Sequence, residues 1–354
     1  MSLLQKTINN IKPASNEAME KANARLTSLT MPYWALGRIM DLSKRLAGMA
    51  GGLSFGVDRK TIVVMAADHG VTAEGVSKYP KDVTAQMVGN FINGGAGVNA
   101  IARVSGANVV VVDMGVDADL EAMADGSRFI VKKIRKATSN MAKGPAMSRD
   151  EAIACVEAGI EIALALSDKT DVFGTGDMGI GNTTPSSAIV SAITGKSPSN
   201  VTGRGTGIDD EQWRQKVSVV EKALEVNKPD SNDGLDILAK VGGFEIGGLA
   251  GLILGAASLG KPVVIDGFIS TAAALIAMVI KKESADYMIA AHLSVEPGHA
   301  VMLEHLGLRA HLDLDMRLGE GSGAALAMCI VEAAHRVLNE VATFDSAGVS
   351  KADK

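Results

Sequence analysis

Short apolar runs that alternate with helical stretches are the feature that most constrains the fold of this chain. From residue 60 onward, each run ends in a loop rich in Gly or Asp and is followed by residues with helical spacing. Continuous apolar strands of this kind are typical of a parallel sheet covered by helices on both faces. The sequence therefore predicts an α/β fold. The predicted strands are Thr61–Ala67, Asn108–Val112, Thr170–Phe173, Lys261–Ile265, Ala285–Ala290 and Arg309–Leu314.

The two ends of the chain have a different pattern. Ala18–Leu29 and Leu36–Ala50 show helical spacing and are separated by Thr30-Met31-Pro32, which predicts a break. Residues 328–354 return to helix over Cys329–Thr343 and end in a polar tail. Residues 1–58 are therefore predicted to form a small helical unit outside the sheet.

Composition narrows the classes of partner. The chain has 354 residues, of which 47% are hydrophobic, and a net charge of −5 without a basic run, which argues against nucleic acid or an anionic membrane as partner. The N-terminus lacks the apolar core of a signal peptide, and the longest apolar runs are shorter than a membrane span. Cys155 and Cys329 form neither a disulfide framework nor a metal cluster. We predict a soluble cytoplasmic protein that binds small molecules.

The loops after the predicted strands contain most of the acidic and glycine-rich motifs. Ligands of parallel α/β sheets bind outside the carboxyl ends of the strands, so these loops are predicted to form one active-site rim. The six loops are Asp68–Gly70, Asp113–Asp117, Gly174–Asn182, Asp266–Phe268, His292–Gly298 and Asp315–Gly323.

The segment Val172–Ser187 contains four glycines followed by Asn182-Thr183-Thr184-Pro185. Glycines let main-chain N–H groups approach a ligand closely, and the helix start that follows favours an anion. The segment predicts a phosphate site, with a tight turn that binds nothing as the alternative.

A second glycine-rich loop, Gly203–Gly207, precedes Asp209-Asp210 and a helix that carries Lys216. Glycines plus one cation suit a second contact with the phosphate. The alternative is a flexible connection whose helix is capped by Asp209.

Glu320 lies between glycines where the last predicted strand ends. It can act as a general base if burial raises its pKa toward neutrality, or it can be an acidic residue that favours a helix N-terminus. Both interpretations stay open, as they do for Tyr79, which with Gln86 can line an aromatic pocket or simply pack.

The sequence supports a metal site less well than it supports a phosphate site. Asp68-His69-Gly70 has no second His or Cys at ligand spacing, and His292 and His299 are seven residues apart. The P-loop Gly-Lys-Ser/Thr is missing, and so is the acidic pair expected after Val109–Val112 in enzymes that bind phosphoribosyl diphosphate through magnesium.

These motifs together resemble the nicotinate-nucleotide–dimethylbenzimidazole phosphoribosyltransferase family over nearly the whole chain. The resemblance rests on five further groups of residues besides Ala67–Val71: Tyr79-Pro80 with Val83–Met87, Gly179–Thr184, Gly203–Gly207, Ile265–Phe268 and Asp315–Gly323. It implies a Rossmann-like large domain at 59–327, a small helical domain from 1–58 plus 328–354, and a homodimer. No cofactor and no metal are implied.

The resemblance also implies the reaction and its residues. The family transfers the 5-phosphoribosyl group from nicotinate mononucleotide to 5,6-dimethylbenzimidazole, giving α-ribazole 5′-phosphate and nicotinate for the cobalamin nucleotide loop. Glu320 would be the general base. The substrate-binding residues would be Tyr79 and Gln86 at the benzimidazole, Gly179, Gly205, Lys216 and Ser294 around the phosphoribosyl group, and Asp177 or Asp266 near the ribose charge.

Several alternatives remain at this point. Relatives often have Glu at the position of Asp177, so that a contact of the longer carboxylate is lost or water-bridged here. Purines or phenols can replace the benzimidazole as acceptor. A non-catalytic nucleotide sensor and a metal-dependent hydrolase that uses Asp68, His69 and His292 are alternatives of other classes.

Overall fold

The computed structural model describes residues 1–205 and 207–350, so that Thr206 of the second glycine-rich loop and residues 351–354 of the predicted small domain lie outside the described residues. Its strands are β1 (Lys60–Ala67), β2 (Asn108–Gly115), β3 (Phe129–Val131), β4 (Val172–Met178), β5 (Val263–Ile265), β6 (Met288–Ala290), β7 (His292–Leu293) and β8 (Leu312–Asp313).

Six of these strands form one parallel sheet in the order β3-β2-β1-β4-β5-β6. This is the strand order of Rossmann-type sheets, and it reverses direction between β1 and β4. The predicted α/β parallel sheet is confirmed. Because ligands bind where the strand order reverses, the carboxyl ends of β1 and β4 are the expected place for the site.

One predicted strand was wrong and one was missed. Only Leu312-Asp313 of the predicted run Arg309–Leu314 is a strand, and it pairs with β7 in a separate two-stranded sheet. The outer strand beside β2 is Phe129–Val131, which is short and flanked by Arg128 and Lys132. Three residues carry too little periodicity to stand out from a polar surrounding.

The helices cover both faces of the sheet and both ends of the chain. They are α1 (Leu3–Asn10), α2 (Asn16–Leu26), α3 (Arg38–Ala50), α4 (Val83–Ile92), α5 (Gly97–Ser105), α6 (Arg149–Leu166), α7 (Thr183–Thr194), α8 (Pro198–Val201), α9 (Asp210–Asn227), α10 (Gly234–Val241), α11 (Phe244–Ser258), α12 (Phe268–Ile280), α13 (Pro297–Leu306), α14 (Ser322–Glu340) and α15 (Phe344–Ala347). In the described part of the chain, no helix is long and apolar enough to cross a membrane.

Residues of β1 alternate between the two helical layers, as neighbouring strand residues must. Ile62 faces Gly321 at the start of α14, whereas Met65 faces Gly248 of α11. Both residues are fully buried, and so is the rest of the strand. A strand with both faces covered accounts for the uninterrupted apolar run in the sequence.

The glycines of α11 allow a close contact with another helix that the periodicity of the sequence does not show. A side chain at Gly251 would overlap the carbonyl oxygen of Val156 on α6, and one at Gly159 on α6 would overlap that of Gly248. Glycines therefore bring two helices into contact in addition to allowing helix–sheet packing. The close approach fits the complete burial of α11 from Phe244 to Ala257.

The two ends of the chain meet outside the sheet. A second apolar cluster joins residues of both ends, and an antiparallel bridge connects Leu29 with Thr343. However, α14 runs without a break across the predicted boundary at residue 328. The division of the chain into domains stays a prediction. The buried members of the cluster are Ala22, Leu26, Leu29, Met40, Ala47 and Leu338.

Candidate active site

A cavity of about 690 Å³ opens at the carboxyl ends of β4 and β5, beside the reversal of strand order. Four of the six predicted rim loops line it, whereas Asp68–Gly70 and Asp113–Asp117 do not. Its lining residues are Val76, Ser77, Tyr79, Val83, Met87, Asp177–Thr183, Gly205, Gly267–Ile269, His292, Ser294, Glu296 and Arg317–Glu320.

Glu320 places a buried carboxylate on the wall of this cavity. Only 7% of the residue is exposed, and its Oε2 accepts a hydrogen bond of 3.1 Å from the backbone N–H of Val98 in the first turn of α5. Burial raises the pKa of Glu320, while the amides of Val98 and Gly97 partly oppose that rise. A carboxylate with a raised pKa beside a cavity is suited to accept a proton.

The backbone around Glu320 is in an unusual conformation. Glu320 has φ +64°, a left-handed conformation that costs a non-glycine residue about 1–3 kcal/mol, and Gly321 beside it has φ +94°. The chain fits here because β4 has glycine at Gly176, where a side chain would overlap the Glu320 carbonyl. The glycine pattern of β4 thus makes room for the loop that carries Glu320.

Asp266 holds the same loop in place through hydrogen bonds with the backbone. Its two carboxylate oxygens accept hydrogen bonds from Gly321 N–H, at 3.1 Å, and Ala324 N–H, at 2.9 Å. Burial raises the pKa of Asp266 to about 7, with the backbone donors acting against the rise. Asp266 lies outside the cavity lining, although the next residues Gly267 and Phe268 belong to it.

Asp177 is the one acidic residue of β4 (Val172–Met178), and it lines the cavity. Asn182 donates a hydrogen bond of 3.0 Å to its Oδ2, and its Oδ1 has no partner in the described part of the chain. Burial and the nearby carboxylates of Asp266, Glu245 and Glu320 hold its pKa well above the usual range. A buried carboxylate with one unsatisfied oxygen has free capacity for a ligand.

A buried cation lies next to the cavity. The Nζ of Lys216 donates a hydrogen bond of 2.7 Å to Thr183 Oγ1, at the start of α7. Burial lowers the pKa of Lys216 to about 8. Lys216 lies behind the lining residues Thr183 and Gly205, so its charge acts on the cavity from behind the wall.

Gly205 and Gly179 are both in the cavity wall, and their contact with a phosphoribosyl group stays a prediction. Gly179 packs so closely on the carbonyl of Ala67 that a side chain there would overlap it. The following Gly181 has φ +88°, and Asn182 is the last residue before α7, which starts at Thr183. The predicted glycine loop is shorter than expected, because residues 174–178 still belong to β4.

Ser294 and Glu296 form the wall next to Gly205. The backbone N–H of Ser294 donates to His299 Nδ1 at 2.8 Å, and the backbone N–H of Gly205 donates to Glu296 Oε1 at 2.9 Å. We assigned no role to Glu296 or to Arg317 from the sequence. The sequence feature that could have indicated Glu296 is its position directly before Pro297, in the loop between a strand and the start of a helix.

One wall of the cavity is apolar. Tyr79 lies there, 54% exposed, together with Val76, Val83, Met87 and Phe268. Gln86 is exposed on α4 and, within the described residues, lies outside the lining, which differs from its expected position. For Gln86, Lys216 and Asp266, direct contact with a substrate stays a prediction.

His69 forms a buried pair with Glu245. The His69 Nε2 and Glu245 Oε1 atoms are 2.7 Å apart. Burial lowers the pKa of His69, but Glu245 outweighs it, so the net pKa is raised. Within residues 1–205 and 207–350, no three His, Cys, Asp or Glu side chains are grouped to hold a metal ion.

The chain is similar to known proteins over its full length. A family model described as phosphoribosyltransferase matches residues 11–349. The nicotinate-nucleotide–dimethylbenzimidazole phosphoribosyltransferase of Syntrophotalea carbinolica is 58% identical over 351 residues, which are 99% of each chain. The protein of the same name from Desulfotalea psychrophila is 55% identical over an alignment of 355 positions that covers 100% of each chain.

A solved structure shows the same fold. The crystal structure of the nicotinate-nucleotide–dimethylbenzimidazole phosphoribosyltransferase from Thermus thermophilus superposes with a TM-score of 0.89 at 43% identity, covering 96% of this chain and 100% of that one. Identity this high over whole chains, together with the family-model match, leaves one assignment. The chain belongs to the nicotinate-nucleotide–dimethylbenzimidazole phosphoribosyltransferase family.

Proposed function

We propose that this protein moves the 5-phosphoribosyl group from nicotinate mononucleotide to 5,6-dimethylbenzimidazole, with inversion at C1′. The products are α-ribazole 5′-phosphate, which enters the cobalamin nucleotide loop, and nicotinate. The names of the full-length relatives support the reaction. The observation that carries it in this chain is the buried Glu320 carboxylate on a cavity with an apolar wall at one side and a buried lysine behind the other.

Glu320 would remove the proton that the acceptor has to lose. The ring nitrogen of nicotinate mononucleotide already carries a positive charge, so nicotinate leaves as a neutral-nitrogen pyridine without a general acid. The benzimidazole loses its N–H proton as its other nitrogen attacks C1′. One carboxylate with a raised pKa supplies this step, and the chemistry needs no metal.

Asp177 would stabilise the positive charge that develops on the ribose. Its unsatisfied Oδ1 belongs to a residue that lines the cavity. Carboxylates serve this purpose in glycosyl transfer generally. The raised pKa of Asp177 means that a proton must leave it before it can act in this way.

Lys216, with the N-terminus of α7 and the amides around Gly179, would attract the phosphate. A cation and a helix N-terminus favour an anion together. Ser294 adds a hydroxyl to the same wall. The phosphate would thus lie at the polar end and the acceptor base against the apolar wall near Tyr79.

The test is a metal-free incubation with nicotinate mononucleotide and dimethylbenzimidazole, in which nicotinate release is followed by chromatography. We expect release that depends on the base and an α-configured ribotide product. Release with adenine or a phenol, but not with dimethylbenzimidazole, would keep the chemistry and change the acceptor. Pocket shape decides between such bases, since a few methyl groups discriminate by only ~1–3 kcal/mol each.

A nucleotide sensor is the alternative of another class. It would use the phosphate end of the cavity but would need neither Glu320 nor the apolar wall. Binding of nicotinate mononucleotide without turnover for any acceptor would favour the sensor and contradict the proposed reaction.

We also propose a cytoplasmic homodimer in which residues 1–58 and 328–354 form a small domain. The exposed apolar side chains Tyr33, at 80% exposure, and Leu36 support a second copy as partner, because association would cover them. Light scattering during size-exclusion chromatography measures the oligomeric state, and a monomer at micromolar concentration would contradict the dimer.

A further inference from the structure

The carboxylate of Glu296 lies on the backbone amide that the phosphate is expected to use. Its Oε1 accepts the N–H of Gly205 at 2.9 Å, whereas its Oε2 is buried and has no hydrogen-bond partner in residues 1–205 and 207–350. The residue is 7% exposed. A buried carboxylate bound by one amide is costly unless a cation is close.

Lys216 is that cation. Its Nζ is 3.3 Å from the position that a side chain at Gly205 would occupy, and it donates a hydrogen bond to the neutral hydroxyl of Thr183. Burial lowers the pKa of Lys216 to about 8, and the charge of Glu296 acts in the opposite direction. The two charges therefore face each other across Gly205 and act on one another through space.

A phosphate that reaches this site finds the Gly205 amide already bound to the Glu296 carboxylate, whereas Lys216 is bound to Thr183 and feels the charge of Glu296 through space. Gly205 N–H is a single donor, so Glu296 and a phosphate oxygen compete for it. A dianion placed beside a second buried negative charge is also repelled by it, and water does not screen that repulsion well.

Resting on the proposed function, we infer that Glu296 is a resident anion of the phosphoribosyl site that phosphate has to displace. Glu296 balances the charge of Lys216 while the site is free of substrate. It thereby sets the affinity for the phosphorylated donor without affecting the apolar acceptor pocket.

The experiment compares the whole protein with its Glu296→Gln and Glu304→Gln variants by calorimetric titration with inorganic phosphate. Glutamine keeps the shape of Glu296 and removes its charge, and Glu304 is an exposed carboxylate on the same helix α13. We expect Glu296→Gln to bind phosphate about 5- to 50-fold more tightly than wild type and Glu304→Gln to match wild type.

Nicotinate riboside, which lacks the phosphate, and dimethylbenzimidazole are titrated in parallel. Unchanged affinity for both in Glu296→Gln would assign the gain to the phosphate. Equal or weaker phosphate binding by Glu296→Gln, or tighter binding of all three ligands, would overturn the inference and make Glu296 a clamp of the Gly205 loop.

A thermal melt checks that the variant folds, and Glu296→Ser removes the same charge if glutamine disturbs folding. Calorimetry requires no turnover. The inference can therefore fail while nicotinate is still released in the transfer assay, and the proposed reaction can fail while phosphate binding changes as expected.

Discussion

The backbone N–H of Val98 donates a hydrogen bond to Oε2 of Glu320, with the two atoms 3.1 Å apart. This contact joins the first turn of α5 to the loop before α14, across 222 residues of sequence. It holds one carboxylate oxygen at a positively polarised helix N-terminus while burial raises the pKa of the group. The geometry thus places a base that is buried and oriented by the backbone of another element.

Glu320→Gln should lower turnover by about 10²–10⁴-fold, because glutamine keeps the Val98 hydrogen bond but cannot accept the acceptor's proton. Steady-state kinetics with both substrates measures the change, and Glu304→Gln provides an exposed carboxylate control. Unaltered turnover at unchanged folding would remove Glu320 from the mechanism.

Gly97→Ala tests the position of Glu320 without changing its chemistry. The added methyl group would lie 2.8 Å from Leu318 Cδ2, which can rotate away, and 3.1 Å from Glu320 Oε2, so the carboxylate must give by a fraction of an ångström. We expect turnover to fall about 2- to 10-fold, since a full displacement of about 1 Å can cost about 10² in rate. Gly89→Ala on α4 is the matched control, because nothing lies within 4 Å of its added methyl. Equal kinetics of the two variants would contradict the positioning effect.

Lys216→Met should raise the KM for nicotinate mononucleotide by about 10- to 100-fold and leave that for dimethylbenzimidazole unchanged, since it removes a charge-assisted contact to phosphate only. The pKa of about 8 also predicts that wild-type donor affinity falls as the pH rises through about 8, where the ammonium loses its proton. Lys222→Met, exposed on the same helix α9, serves as control. Equal effects on both substrates would argue against a phosphate contact.

Asp266 should make the free energy of unfolding depend on pH. Burial raises its pKa from the ordinary value of 3.8 to about 7, so the folded state binds the proton more tightly than the unfolded state. This group stabilises the protein fully below pH ~4, and that stabilisation is lost as the pH rises through about 7.

Urea unfolding of wild type and Asp266→Asn at pH values of about 5 and about 8 measures this linkage. Asparagine does not titrate, so wild type should lose stability relative to the variant between the two pH values. The exposed Asp58→Asn control should keep a constant difference from wild type. A constant difference for Asp266→Asn as well would show that the carboxyl is ionised throughout.

The chain order of apolar runs was sufficient to predict five of the six strands of the main sheet. A strand covered on both faces is apolar at most positions, and that pattern is visible without coordinates, as over residues 62–67 of β1. The run at 309–314 has the same local appearance but pairs with β7 only. Strand pairing is set by partners distant in sequence, so local pattern cannot assign a short run to a sheet.

The candidate site, like the fold, could be predicted from the sequence only in part. The glycine loops, Glu320 and Lys216 can be recognised as candidates from the sequence. Glycine allows the backbone to approach a ligand closely, a glutamate can act as a base, and a lysine can contact a phosphate. Only the tertiary structure shows that Gln86 is exposed outside the cavity, that Asp266 holds a loop, and that Glu296 lies on Gly205. These relationships depend on which helix starts and which strand ends meet in space. The burial, the pKa and the hydrogen-bond partners of each side chain are therefore set by residues that are far from it in the sequence.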